Sequence, residues 1–288
     1  MPNHASRITG TSFPSSRITT LTNYRISVFL HLFRLAFQQQ LTYRAAILAG
    51  LATNFFFALL RVAVLVALYG DQPEVNGLTL QDSITFVAVS QALIAFLFLF
   101  GAYDLMNTVY TGSIGSDLLR PLHLYTFWMA RGLGRSLVNL IFRGLLLIAG
   151  FALVYPIVVP TRLDQVLAVI LALALGWLVN FGWQFLVNLS AFWTPDARGI
   201  GRIAFTISQF LSGFIMPLRL YPDWFANLCR LTPFPAVVNT PVEVYLGVLT
   251  GRDLWLALFN QIVWALLFAL ICALVLRAGV RRLVIQGG

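Results

Sequence analysis

Three amide side chains recur at every fourth position in an apolar stretch of the chain. Asn180, Gln184 and Asn188 would therefore lie on one face of a predicted helix. Polar groups in an apolar membrane segment are costly unless they pair with each other or face a cavity. Two interpretations stay open: the stripe lines a path for cargo, or it holds neighbouring helices together through hydrogen bonds. The same two interpretations apply to three residues of a later segment, Ser208, Gln209 and Ser212.

A single arginine, Arg61, lies deep inside another apolar stretch. A cation at that depth costs about 3 kcal/mol on insertion scales, so it needs a polar partner. Asp104 lies at the C-terminal end of the next apolar segment, near the membrane surface, whereas Arg61 lies well inside its own segment. The two residues are therefore at different depths and cannot form a direct ion pair. The sequence therefore predicts that Arg61 is bound by Asn54 or by a residue of a companion subunit.

The residue types that most enzymatic sites need are missing or scattered. The chain contains no lysine, so it lacks the amine of a Walker A loop and of Schiff-base chemistry. The two cysteines and three histidines show no metal-ligand spacing. No constellation of Asp, Glu, His and Cys falls within reach of a common site, which disfavours an intramembrane enzyme. We expect no catalytic, cofactor or metal site in this chain.

A polar segment between two apolar stretches carries a compact cluster of five residues, Asp117, Leu118, Leu119, Arg120 and Pro121. The two leucines form a small apolar patch beside the charged pair, and the proline restricts its predecessor to extended geometry. A partly apolar loop is a surface that a partner protein can bind. The alternative is a tight connection that packs on the lipid headgroups.

Five of the twelve prolines fall between Pro217 and Arg252, so this segment is too interrupted for a spanning helix. It still carries two helix signals: Pro222 opens a short helix that runs to Leu231, and the run from Thr240 to Glu243 is a capping box. Aromatic residues, Trp224, Phe225 and Phe234, are expected to anchor the pair at the outer interface. We predict a re-entrant or interfacial helical pair that gates the extracellular end of the path through five residues, Pro222, Trp224, Pro233, Phe234 and Glu243.

The composition indicates that the elements carrying these residues belong to a membrane protein. Of the 288 residues 59% are hydrophobic and 10% are charged, whereas soluble domains carry about 25% charged residues. The mean hydropathy is +0.83. A span needs about 20 apolar residues to cross about 30 Å of hydrocarbon. This length predicts an all-α polytopic protein with six transmembrane helices, at Ala45–Tyr69, Ser83–Tyr103, Leu137–Val159, Gln165–Leu189, Ile203–Leu218 and Leu254–Leu276.

The two ends of the chain are polar and basic. Residues 1–22 are rich in Ser, Thr and Arg, which predicts a disordered cytoplasmic tail, and residues 23–288 form the membrane domain. From Asn23 to Leu41 apolar residues recur at helical spacing, as in an amphipathic helix that lies along the inner membrane surface. Thirteen of the 19 arginines fall on one side of the predicted spans, so both termini should be cytoplasmic. We expect this charge to attract membrane lipids and not nucleic acid, because no soluble basic domain exists.

Several motifs in this order resemble the ABC-2 type permeases. They are the run from Gly115 to Pro121, the stretch from Ser212 to Pro222, the Pro233–Phe234 pair, Pro241, Gly247, and the C-terminal run from Arg281 to Gly288. More narrowly, the chain is similar to the branch formerly filed as a domain of unknown function and associated with viologen and multidrug export. The similarity covers residues 23–288.

The resemblance implies a permease subunit of an ATP-driven exporter in the bacterial inner (plasma) membrane. Its partners would be a second permease copy or a paralogue and two separate ATPase subunits, which bind the ATP and Mg²⁺. The resemblance also implies that the N-terminal helix and the loop around Asp117 to Pro121 dock those subunits. Members of the family differ widely in cargo, so the resemblance does not supply a substrate; we expect a drug-like, amphiphilic or lipid-related cargo.

A different mechanism is an ion-gradient-driven carrier or channel. Such proteins have charged coupling residues near the middle of the membrane, and often inverted repeats. This chain offers only Arg61 at depth and no evident internal repeat. An ATP-driven permease that rocks between inward-facing and outward-facing states is therefore the preferred interpretation.

Overall fold

The computed structural model describes residues 15–282 apart from Pro121 and Pro195. The predicted tail up to residue 14, the predicted loop residue Pro121 and the last six residues lie outside the described residues. The first half of the chain contains α1 (Ser15–Leu41), α2 (Arg44–Tyr69), β1 (Glu74–Val75), β2 (Leu78–Thr79), α3 (Leu80–Leu97), α4 (Asp104–Tyr110), α5 (Ile114–Leu118), α6 (Leu124–Asn139) and α7 (Leu146–Val154). The second half contains α8 (Leu163–Leu189), α9 (Arg198–Leu211), α10 (Asp223–Arg230), α11 (Asn239–Tyr245) and α12 (Gly251–Val280).

Among the residues that the structure describes, five helices are long and apolar enough to cross a membrane. They are α2, α3, the continuous helix Leu124–Val154, α8 and α12. The third of these joins α6 to α7 through a π-helical turn at Leu140–Leu145. A two-stranded antiparallel hairpin, β1 and β2, links α2 to α3 through Asn76 and Gly77, which both have positive φ as its tight turn requires. The prediction of an all-α polytopic membrane protein is confirmed.

The predicted fifth span differs from the others. Its helix, α9, has 14 residues and is therefore about 21 Å long, shorter than the hydrocarbon layer. The backbone then leaves helical geometry, because Gly213 adopts a φ of +76° and Pro217 has no N–H to donate. A 3₁₀ turn at Leu218–Leu220 follows. Residues 203–218 are thus a short helix followed by irregular backbone instead of one continuous span.

The segment between α9 and α12 re-enters the protein. The helix predicted from Pro222 onward is α10, and a 3₁₀ turn at Phe234–Ala236 connects α10 to α11. The ring of Phe234 lies 5.1 Å from the ring of Trp183, which is about 30 Å along α8 from Leu163. Packing against α8, α9 and α12 shields this non-helical backbone, as a membrane protein requires. The re-entrant helical pair is confirmed.

Two details of this segment correct the sequence predictions. The capping box is wrong, because α11 begins at Asn239 and no side chain caps its start. The Glu243 carboxylate instead accepts a hydrogen bond of 2.9 Å from Nε of Arg219. Phe234 is also not an interfacial anchor: it is buried under Trp183, because the re-entrant turn carries it into the helix bundle.

Helix α1 packs against α6, where its residue Ala36 is buried. It begins at Ser15, inside the stretch predicted as a tail, so its start lies further toward the N-terminus than predicted. Tyr24, Ile26 and Leu30 remain exposed on α1. An apolar exposed face is what a helix in contact with lipid requires.

Candidate functional site

The amide stripe of α8 binds the backbone where α3 ends. Phe98 has a left-handed conformation and closes α3, which leaves carbonyl groups without helical partners. The amide of Gln184 donates to the carbonyls of Leu97 at 2.7 Å and Phe98 at 3.0 Å, and Asn180 donates to Leu97 as well. Asn188 donates to the Ala102 carbonyl and accepts a hydrogen bond from the N–H of Met106. The stripe therefore supplies hydrogen-bond partners to the backbone groups between α3 and α4 that have none within a helix.

A cavity of about 50 Å³ lies beside the stripe and is lined by all three amides. This space is sufficient for a few water molecules, whereas pockets for drug-sized ligands measure about 300–1,000 Å³. In this conformation the contacts of the three amides are those of helix packing. A cargo-lining role for them remains a prediction.

The three polar residues of the later segment behave differently from one another. Gln209 donates to the carbonyl of Leu99 at 3.2 Å, so it binds the same non-helical backbone between α3 and α4 as the α8 amides do. Ser208 and Ser212 donate to carbonyls of the preceding turn of their own helix, those of Phe205 and Gln209. The structure thus brings Asn180, Gln184, Asn188 and Gln209 together and leaves the two serines in local bonds.

Arg61 finds partners that the sequence prediction did not include. Its Nη2 donates to the carbonyls of Phe214 and, at 2.7 Å, of Ile215, and its Nη1 lies 3.4 Å from the Ser90 hydroxyl. The guanidinium also lies over the Phe214 ring at 5.0 Å. The prediction of Asn54 as partner is wrong, because Asn54 accepts a hydrogen bond from Arg143 instead. Arg61 compensates for the irregular backbone after α9, whose carbonyls lack helical partners.

The predicted coupling loop is a short helix with one protruding side chain. Asp117 is buried at the end of α5, and its carboxylate lies 3.2 Å from Nε of Arg120. The Arg120 guanidinium in turn lies 4.6 Å from the centre of the Phe127 ring. Leu119 is 88% exposed, although both of its neighbours are held in place. The loop therefore presents an apolar side chain on a rigid base.

The predicted outer gate residues divide into exposed and enclosed ones. Trp224 is 72% exposed on α10, next to Pro222, which precedes the helix. Pro233 and Phe234 lie at the deep turn, and Glu243 is paired with Arg219. These five residues belong to the same re-entrant segment, but they do not meet in one constriction within a single chain.

Two polar residues have structural roles that the sequence analysis missed. Gln261 of α12 is fully buried and donates to the carbonyls of Ala172 and Ala236, so it connects α12, α8 and the re-entrant turn. A lone glutamine in an otherwise apolar helix is the signal that could have identified it. The second residue is Arg143 in the π-helical turn, for which the sequence suggested no partner.

Comparison with known families agrees with this architecture. A family model described as ABC-2 family transporter protein matches residues 48–287, which include all five long apolar helices and the re-entrant segment, apart from the first turn of α2. No curated protein matches the chain at a significant level. Proteins of this family are membrane subunits and not themselves the ATPase. The chain therefore belongs to the ABC-2 family of transporter proteins.

Proposed function

We propose that this protein is the permease subunit of an ABC exporter that is driven by two separate ATPase subunits. The observation that carries the proposal is the geometry of the α5 loop. Leu119 protrudes beside a fixed ion pair, Asp117 and Arg120, which suits a surface that receives force from a partner. The ATP and Mg²⁺ would bind to the partner, in keeping with a chain that contains no lysine.

The packing behind the loop supports transmission of that force. Leu118 and Leu122 pack against a buried cluster that contains Phe127 of α6, Phe185 of α8 and Cys272 of α12. Interiors packed in this way transmit displacement because they deform little. A push on Leu119 would therefore move three long helices together.

The distribution of arginines supports an orientation with the α5 loop in the cytoplasm. In the sequence, thirteen of the 19 arginines fall on the same side of the predicted spans as this loop, which is the side that the positive-inside rule assigns to the cytoplasm. Both termini would then be cytoplasmic and the hairpin of β1 and β2 would face outward. This orientation in a bacterial inner membrane places the docking loop where ATP is available.

Export would take place between two permease halves that rock against each other. The second half would be another copy or a paralogue. The small cavity beside the α8 amides has no room for a large cargo, so the cargo path would not run along these amides within one chain. The re-entrant segment would then close the outer end, with Trp224 exposed toward that side. An amphiphilic or drug-like cargo suits the apolar surface that such a path would have.

The residues that the structure describes offer no acidic coupling site for an ion-gradient-driven carrier. Proton-driven carriers commonly use titratable carboxylates within the membrane. All ten acidic residues are described, and the three on long spanning helices, Asp82, Asp164 and Asp253, lie in the first turns. The two arginines at depth, Arg61 and Arg143, are poor coupling residues because a guanidinium is not deprotonated in proteins.

Co-purification tests the proposal. The tagged chain, expressed in a cell that carries its genomic neighbours, should retain an ATPase subunit. Leu119→Ala should reduce the amount of bound ATPase, whereas Leu153→Ala, which changes an equally exposed leucine at the other end of the bundle, should not. Transport of cargo by the purified chain along an ion gradient, with no ATPase present, would refute the proposal.

A further inference from the structure

Arg143 occupies an unusual position in the third spanning helix. It lies in the π-helical turn Leu140–Leu145, inside a helix that is otherwise α-helical from Leu124 to Val154. Single π turns within α-helices occur frequently at functional sites. This turn directs the guanidinium of Arg143 toward α2, where it meets Gly50 and Asn54.

Gly50 provides the space for that guanidinium. A Cβ atom at Gly50 would lie 2.4 Å from Cζ of Arg143, so any larger residue would push the group away. Asn54 is about 15 Å along α2 from Arg44, which places the guanidinium well inside the hydrocarbon layer. The cation therefore rests on α2 and does not extend to the end of the bundle.

The guanidinium has few protein partners at this depth. Nη2 donates to the Asn54 side chain at 3.0 Å. Nε is enclosed without an acceptor, and Nη1 has none among the residues that the structure describes. Arg61 is different, because backbone carbonyls and a hydroxyl occupy its two Nη groups. Among the residues that the structure describes, Arg143 therefore has more unpaired guanidinium donors than Arg61, in which only Nε lacks an acceptor.

An open cavity of about 360 Å³ lies against Arg143. Its lining includes polar side chains from three helices, Gln40, Thr53, Asn54 and Asn139, and it extends toward Phe100 and Gly101 at the basic end of the bundle. The chain has ten acidic residues, all of them described, and none lines this cavity. The rest of the lining is mainly apolar. A cation at the polar side of such an open cavity, without a carboxylate partner in the described chain, is suited to bind the anionic end of an amphiphilic molecule.

We propose that this cavity binds the anionic headgroup of an amphiphile, a phosphate or a carboxylate, through Arg143 and the surrounding amides. The apolar chain of such a ligand would remain in the lipid while its headgroup enters beside α2. A cavity of this volume fits a headgroup and the first part of a chain. Binding of this kind needs no ATPase, so it stands or falls independently of the proposed transport function.

Native mass spectrometry of the purified full-length chain tests the proposal with two probes. The first probe is phosphatidylglycerol offered together with phosphatidylcholine, and the second is palmitate. Arg143→Gln removes the cation, whereas Gly50→Ala keeps the charge and displaces the guanidinium. The matched controls are Arg277→Gln, an exposed arginine at the basic end, and Gly199→Ala, where an added Cβ meets nothing within 4 Å.

We expect both test variants to lower retention of at least one anionic probe by about tenfold, the effect of losing one charge-assisted hydrogen bond. The controls should bind as the unmodified chain does. An effect on phosphatidylglycerol identifies a lipid headgroup as the source of the anion, and an effect on palmitate alone identifies a free amphiphile. If neither probe depends on Arg143, or if Arg277→Gln reduces binding equally, the proposal is overturned. If the Arg143→Gln variant does not fold, the binding measured with Gly50→Ala decides whether the proposal holds.

Discussion

Nη2 of Arg61 lies 2.7 Å from the carbonyl oxygen of Ile215, so that a cation of α2 donates a hydrogen bond to the non-helical backbone after α9. The carbonyl of Phe214 accepts a second hydrogen bond from the same nitrogen. A cation within hydrocarbon is costly, and so are free carbonyls. The guanidinium and the carbonyls offset each other's cost of burial by forming hydrogen bonds. This explains how an irregular segment is stable inside the membrane domain.

Replacing Arg61 by Met should leave both carbonyls without a donor. We expect the free energy of unfolding to fall by about 2–4 kcal/mol, because buried polar groups then lose their partners. Hydrogen exchange should accelerate in residues 212–217. Arg252→Met, at the exposed start of α12, is the matched control and should leave exchange in this segment unchanged. Unchanged exchange in the Arg61 variant would show that other contacts hold the segment.

Gln184→Leu should loosen the connection between α3 and α4. The variant removes the donor to the Leu97 and Phe98 carbonyls, so we expect a loss of about 1–3 kcal/mol in thermal or denaturant unfolding. Ser208→Ala should cost less than about 0.5 kcal/mol, because that hydroxyl bonds only within its own helix. A stable Gln184 variant that has lost transport would instead support the cargo-lining interpretation.

Asp117→Asn should separate ATP turnover from transport. The substitution keeps the shape of the side chain and weakens the ion pair with Arg120 that positions Leu119. We expect transport per ATP hydrolysed to fall by about tenfold, the size of a typical coupling free energy. Asp253→Asn at the start of α12 should behave as the unmodified chain. Normal coupling in the Asp117 variant would remove the docking assignment.

Cysteine labelling should determine the orientation with little background. Both native cysteines are buried, and burial raises the pKa of the Cys229 thiol, so that it carries less of the reactive thiolate at neutral pH. In intact cells an impermeant maleimide should label Asp71→Cys, in the outward hairpin region, and should reach Ser116→Cys only after permeabilisation. The reverse pattern would contradict the proposed orientation. Any residual labelling of Cys229 should increase as the pH rises.

Long apolar runs predicted the spanning helices well. Ala45–Tyr69 is observed as Arg44–Tyr69, and Leu254–Leu276 is observed as Gly251–Val280. Helix ends that depend on tertiary contacts were not predictable. The second span was expected to reach Tyr103, but α3 ends at Leu97, because amides of α8 bind the carbonyls that a helix would otherwise use.

The candidate site was predictable in its residues and less so in its contacts. The periodicity of α8 identified Asn180, Gln184 and Asn188 as a set, but their partners are backbone carbonyls, which sequence patterns do not reveal. The same reason explains why the partners of Arg61 were missed. Phe234 illustrates a related limit: an aromatic residue near prolines is typical of the interface, and only the re-entrant path places it in the core.

The two hydrogen bonds of Gln261 set an order of assembly. The amide of Gln261 belongs to α12, which is synthesised after the re-entrant segment, yet it holds the carbonyl of Ala236 at the deepest part of the re-entrant turn. Until α12 leaves the ribosome and inserts, that carbonyl lacks this donor, and entry into the hydrocarbon layer is unfavourable. The segment from α10 to α11 must therefore wait at the outer surface during translation and settle only after α12 has been synthesised and inserted.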